Sequence, residues 1–111
     1  MSRDPMALVR DAIKAVELVR QFTAGRTYAD YRADAMLRSA VERQLGIVGE
    51  ALNRLSQMSP ESAAMIHDLP RIVAFRNTLV HGYATVDNAL VWAIVQERLD
   101  ALRNSLYEVA E

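Results

Sequence analysis

Apolar positions recur along this chain at intervals of three and four, the period of helices with one buried face. Asp4-Pro5 pairs an N-cap residue with proline at the first helical position, and Val9, Ala12, Val16 and Val19 then repeat until Gly25 supplies a stop. Thr27 to Asp34 is a polar connector with two tyrosines and room for one short helical turn. From about Ala35 to Leu55 the stripe is Leu37, Val41, Leu45, Val48, Leu52 and Leu55, which predicts a second long helix. Ser59-Pro60-Glu61 opens a short third helix by the same capping logic. Asp68-Leu69-Pro70 opens a fourth that runs to about His81, where Gly82 can take the left-handed cap. Asp87 caps a fifth, with the stripe Val91, Val95, Leu99, Leu102, Leu106 and Val109. No strand pattern, repeat or low-complexity tract interrupts this series. The pattern predicts an all-α, up-and-down bundle of three long and two short helices.

A length of 111 residues fits one domain over 1–111, and a composition that is 51% hydrophobic can furnish its core. No apolar run reaches the ~18 residues that a membrane span requires. The first residues, Met1-Ser2-Arg3-Asp4-Pro5, do not resemble a secretory signal, so a cytoplasmic location is expected. There is no cysteine, which excludes disulfides and thiolate metal sites. The two histidines make no metal-ligand spacing with a carboxylate, and no cofactor is expected. The formal net charge of −1 excludes a protein that coats nucleic acid through a broad basic excess, but leaves room for a local basic cleft. All basic residues but Lys14 are arginine, the planar fork suited to phosphate.

The second long helix carries another stripe, Ala40, Ile47 and Ala51, with Gly46 and Gly49 beside it. Glycine inside a helix costs up to about 1 kcal/mol against alanine, so its presence points to close backbone approach. Either packing within the chain or a seam between two copies accounts for it. Glu50 lies in the same apolar helix; it pairs with a buried arginine, sits near the cleft or, equally, faces solvent. His67 and Trp92 read as structural residues.

The chemistry concentrates in Arg71 to Tyr83, RIVAFRNTLVHGY. On a helix, Ile72, Phe75 and Leu79 form the core stripe, and Val73 and Val80 form a second one flanked by Arg76 and Asn77. Asn77 and His81 lie one turn apart on the same side. Cleaving RNA without a metal requires a base for the ribose 2′-hydroxyl, an acid for the leaving oxygen and a cation for the charge on the phosphate. Histidine serves either proton role near neutral pH, and arginine is the cation. This segment holds one histidine, whereas a two-fold dimer meeting across Val73 and Val80 brings two into one cleft. An enzyme built on these residues is therefore expected to be a homodimer.

Arg76-Asn77-Thr78-Leu79-Val80-His81-Gly82-Tyr83 matches R-x-x-x-x-H-x-Y and resembles the signature of HepT-like toxins in the HEPN superfamily. The segments IVGEALNRLS at 47–56 and VDNALVWAIVQERLDALRNSL at 86–106 resemble that family's second long helix and last helix. The resemblance extends from about Val9 to Leu106. It implies a HEPN-like helical dimer that cleaves RNA without metal, with Arg76 and His81 of both subunits as catalytic residues and Asn77 positioning them. Arg71, further up the helix, is a candidate contact for RNA phosphates. The resemblance also implies a partner, an antitoxin of the minimal nucleotidyltransferase type that silences the toxin by transferring AMP to Tyr83. The alternative is a HEPN binding module that pairs with such a nucleotidyltransferase and cleaves nothing.

Overall fold

The computed structural model describes residues 4–81 and 86–111, the side chains of Val80 and His81 excepted. The described residues form seven helices: α1 (Pro5–Thr23), α2 (Tyr28–Ala33), α3 (Ala35–Met58), α4 (Pro60–Ala64), α5 (Leu69–His81), α6 (Asn88–Glu97) and α7 (Leu99–Ala110). The protein is all-helical, as the periodicity predicts, but it divides the chain more finely than three long and two short helices.

Capping chemistry sets several of the boundaries. The Asp4 carboxylate accepts from the Met6 N–H at 2.9 Å, with Pro5 at the first helical position. Gly25, at φ +72°, ends α1 in the left-handed region that glycine tolerates. The connector before α3 is a helix in its own right. Thr27 and Asp30 form a reciprocal capping box, at 3.1 Å from the Asp30 N–H to Thr27 Oγ1 and 2.9 Å from the Thr27 N–H to Asp30 Oδ2. Tyr31 of α2 is completely buried and packs on Trp92, ring centroids 5.3 Å apart. The Asp87 carboxylate caps α6 from both the Ala89 and the Leu90 N–H groups. Ser59 precedes α4 as expected but caps no backbone group; its hydroxyl bonds the Ser62 hydroxyl at 3.0 Å.

The expected last helix is split at Arg98, whose backbone lies at φ −122° and ψ −21°. The ladder spans the break: the Arg98 N–H donates to the Ile94 carbonyl at 3.0 Å, and the Leu102 N–H donates to the Arg98 carbonyl at 3.1 Å. The stripe therefore stays in phase through the break, and Val91, Val95, Leu99, Leu102 and Leu106 are all buried.

Helix α3 sits at the centre of the packing, against α1, α5, α4 and α2, while α1 also packs on α7. Every member of its predicted stripe, from Leu37 to Leu55, is buried, as are Val9, Ala12, Val16 and Val19 of α1. Full burial of each leucine or valine contributes about 1.5–3 kcal/mol, so this seam is the main source of stability. A polar clasp closes α1 onto α7, where the Glu17 carboxylate accepts from Arg103 Nε at 2.6 Å and from the Tyr107 hydroxyl at 3.2 Å. No helix among the described residues is long and apolar enough to cross a membrane.

The start of α5 is pinned from two sides. The His67 N–H donates to Ser105 Oγ at 3.0 Å, and the Asp68 carboxylate accepts from Arg98 Nη1 at 2.6 Å. Asp68 adopts φ +62°, a conformation that aspartate and asparagine tolerate better than other side chains. Instead of forming a simple N-cap, its carboxylate ties α5 to the α6–α7 break. The hydrogen bond from Arg98 holds the Asp68 carboxyl below the usual carboxylate range, aided by the charges of Arg98, Arg71 and His67 and opposed by desolvation. A depressed folded-state pKa gives stability that is present above about pH 4 and is lost as pH falls through the lowered value. Asp68→Asn keeps the backbone conformation and removes the charge. Its Tm is expected to lie below wild type at pH 7, with the two converging toward pH 3 in thermal melts. Parallel Tm curves over that range would show that the ion pair contributes nothing.

Candidate active site

Helix α5 comes directly onto the backbone of α3 at Gly49. A Cβ built on Gly49 would fall onto the Cβ of Arg76 and come within 2.7 Å of its Cγ, with the Arg76 Cα at 3.5 Å. The stem of Arg76 thus lies on bare backbone, and the glycine in this helix is explained by packing within the chain. The next residue, Glu50, takes the head group: its Oε2 pairs with Arg76 Nη2, while its Oε1 accepts from Arg54 Nε one turn on, at 2.9 Å. From the other side Arg76 Nη1 donates to Asn77 Oδ1 at 3.1 Å. The guanidinium is therefore held between a carboxylate of α3 and an amide of its own helix, with 26% of the side chain exposed. The hydrogen bond from Arg54, followed by the charge of Arg76, keeps Glu50 below the usual carboxylate range despite partial desolvation, so it stays ionised at neutral pH.

Arg76, Glu50 and Arg54 line an open cleft of about 830 Å³ between α1, α3 and α5. Gly46, Ile47 and Ala51 of α3 also line it, as do Arg43 and Leu79. Among the described residues nothing lies within 4 Å of a Cβ placed on Gly46, so this glycine, unlike Gly49, borders the open cleft. Burial raises the carboxyl pKa of Glu42, another lining residue, against the opposing charge of Arg38. Such a cleft offers a fixed guanidinium to an anion that enters from the open side.

Of the residues singled out in the sequence, Arg76 and Asn77 are brought into direct contact. His81 ends α5, one turn beyond Asn77. The His81 side chain and the whole of Gly82 and Tyr83 lie outside the described residues. Arg71 is not part of the cleft lining; it sits near the start of α5, 4.0 Å from Asp68 and largely exposed. His67 is half-exposed and serves the α5–α7 junction through its backbone. Trp92 is partly buried against the core, in keeping with a structural role. Among the described residues no three His, Cys, Asp or Glu side chains gather as a metal site. The sequence left Glu50 open between cleft and solvent, and the decisive neighbour was Gly49, which lets an α5 side chain reach it.

The chain is similar to a class of ribonucleases. The family model described as ribonuclease HepT-like matches residues 12–109. The chain belongs to this family. It is 30% identical to the probable ribonuclease HepT of Thermococcus cleftensis over 106 residues, 93% of each chain. A Methanocaldococcus jannaschii protein with the provisional name of an RNase is also 30% identical, over 104 residues and 94% of each chain. No solved structure matches.

Proposed function

We propose that the chain is a metal-independent endoribonuclease, the toxin of a toxin–antitoxin pair, and that it acts as a two-fold dimer with Arg76, Asn77 and His81 of both subunits around one cleft. The observation that carries this reading is the Arg76 guanidinium, fixed by Asn77 and Glu50 at an open cleft on the helix that ends in His81. Membership of a ribonuclease family supplies the substrate class.

In this mechanism one His81 imidazole takes the proton from a ribose 2′-hydroxyl, whose oxygen attacks the adjacent phosphorus. The bond from phosphorus to the 5′-oxygen breaks, and the imidazolium of the second subunit protonates the departing oxygen. The products are a 2′,3′-cyclic phosphate and a 5′-hydroxyl. Arg76 donates to the phosphate oxygens as their charge grows, which is where a preorganised cation has most effect. Arg71, exposed on the same helix, is proposed to contact flanking phosphates.

The partner is proposed to be a minimal nucleotidyltransferase that silences the enzyme at Tyr83. The tyrosine oxygen attacks the α-phosphorus of ATP, pyrophosphate leaves, and the phenolic proton is lost to solvent. The added AMP brings bulk and negative charge beside the cleft, which opposes the phosphates of RNA.

One experiment tests both parts. The purified dimer is expected to cleave RNA in excess EDTA. After treatment with the neighbouring nucleotidyltransferase and Mg-ATP it should gain mass in AMP-sized steps and stop cleaving, whereas Tyr83→Phe should keep its mass and its activity. A monomer that leaves RNA intact yet still binds the nucleotidyltransferase would establish the non-catalytic alternative. Modification mapped to another residue would remove Tyr83 from the regulation.

A further inference from the structure

We infer that Glu50 is a positioning residue for the reaction, acting through Arg76; this rests on the ribonuclease reading above. An ion pair with a carboxylate this exposed, 37% of its side chain, adds little to stability. Its placement has another consequence. Glu50 follows Gly49, the only residue type that lets the Arg76 stem lie against α3, so one dipeptide supplies both the groove for the stem and the acceptor for the head. An arginine side chain that is free samples many rotamers, and fixing it costs entropy. Held by Glu50 at Nη2 and by Asn77 at Nη1, Arg76 is already ordered before substrate arrives.

The carboxylate does this without neutralising the pair of arginines that flank it, in a cleft whose lining also holds Asp11, Glu42 and Arg43. Glu50 is shared with Arg54, so two guanidiniums face one carboxylate and the cluster keeps a formal charge of +1. A guanidinium has five N–H donors. With one given to Glu50 and one to Asn77, three remain for phosphate oxygens. Removal of the Glu50 charge therefore makes the cleft more positive but its cation less well aimed. Ground-state attraction for RNA survives, while stabilisation of the transition state falls.

The test is steady-state RNA cleavage by Glu50→Gln beside wild type and Arg76→Ala, each run at least 15 °C below its own melting point. For Glu50→Gln, kcat is expected to fall about tenfold, the scale set by displacing a catalytic group by a fraction of an ångström, with KM unchanged or lower. Its Tm is expected to stay within about 2 °C of wild type, as suits an exposed pair. A merely structural role would lower Tm and leave kcat intact under these conditions, which would overturn the inference. So would a raised KM at constant kcat, since that identifies an RNA contact. If Glu50→Gln matches wild type while Arg76→Ala is inactive, the inference alone fails. If Arg76→Ala itself cleaves like wild type, the ribonuclease site has been misplaced.

Discussion

Arg76→Ala is expected to slow RNA cleavage by about 10²–10³-fold while leaving the protein folded. The size follows from removing a preorganised charge donor aimed at the reacting phosphate. The fold survives because the partners left behind are not stranded. Glu50 keeps its 2.9 Å bond to Arg54 and remains 37% exposed, and the Asn77 amide is exposed. Alanine is also the best helix former, so α5 gains locally what it loses in packing of the arginine stem. His81→Ala should cost about 10²–10⁴-fold, the usual range for a lost general acid or base. Because both residues serve one transition state, the double variant should be little worse than the poorer single one. Arg76→Lys is the sharper control. A point charge cannot bond Asn77 and Glu50 through a rigid fork and still face the phosphate, so lysine should remain at least about tenfold impaired. Single-turnover cleavage in EDTA, with circular dichroism to confirm folding, measures all four. Full activity in Arg76→Lys would mean that charge alone matters and that the bracketing by Asn77 and Glu50 is incidental.

The long elements were legible because they follow one rule, a single buried face at helical period. Leu37 to Leu55 and Val9 to Val19 needed nothing beyond that rule. Helix α2 was harder because its stability comes from the Thr27–Asp30 capping box and one buried residue, Tyr31. A capping box is visible in sequence, but a polar six-residue segment has too few turns to show a period. The break at Arg98 was illegible for the opposite reason, since a one-residue departure leaves the apolar phase unchanged on both sides. Asp68 shows how two chemistries can share one letter: aspartate before Leu-Pro reads as a cap, but its long-range partner, Arg98, captures the carboxylate.

The candidate site divides along the same line. Arg76 and Asn77 were identified from neighbours on one helix, and those contacts are local. The role of Glu50 depends on where α3 lies against α5, which no spacing within α3 encodes. Glycine in the middle of α3 was the one sequence signal for that contact, and it was ambiguous between two positions. Gly49 is the contact and Gly46 borders the cleft, so identical residues three apart on one helix have different causes.

That difference makes the remaining prediction a comparison of signs. Considered as helix residues alone, both Gly46→Ala and Gly49→Ala should stabilise α3 by up to about 1 kcal/mol. For Gly46 no described residue opposes this, because a new Cβ meets none of their atoms within 4 Å. Its Tm is expected to rise by a few degrees, on the scale of about 4–8 °C per kcal/mol for a domain of this class. At Gly49 the new methyl group meets the Cβ and Cγ of Arg76, the root of a side chain and not its flexible end, with the Arg76 Cα behind it. Swinging the guanidinium aside does not relieve that overlap; α5 itself has to retreat. Overpacking of this kind costs about 1–3 kcal/mol and outweighs the gain in propensity. Gly49→Ala is therefore expected to melt several degrees below wild type, and Gly49→Val lower still, because a β-branched residue forfeits most of the helix-propensity gain. Activity should fall by about tenfold or more in both, even where the protein is fully folded, since the retreat carries Arg76 away from Glu50. Thermal melts and cleavage rates of the three variants decide the matter. An equal rise in Tm for the two alanine variants would mean that α5 does not rest on Gly49, and the placement of Arg76 described here would fall with it.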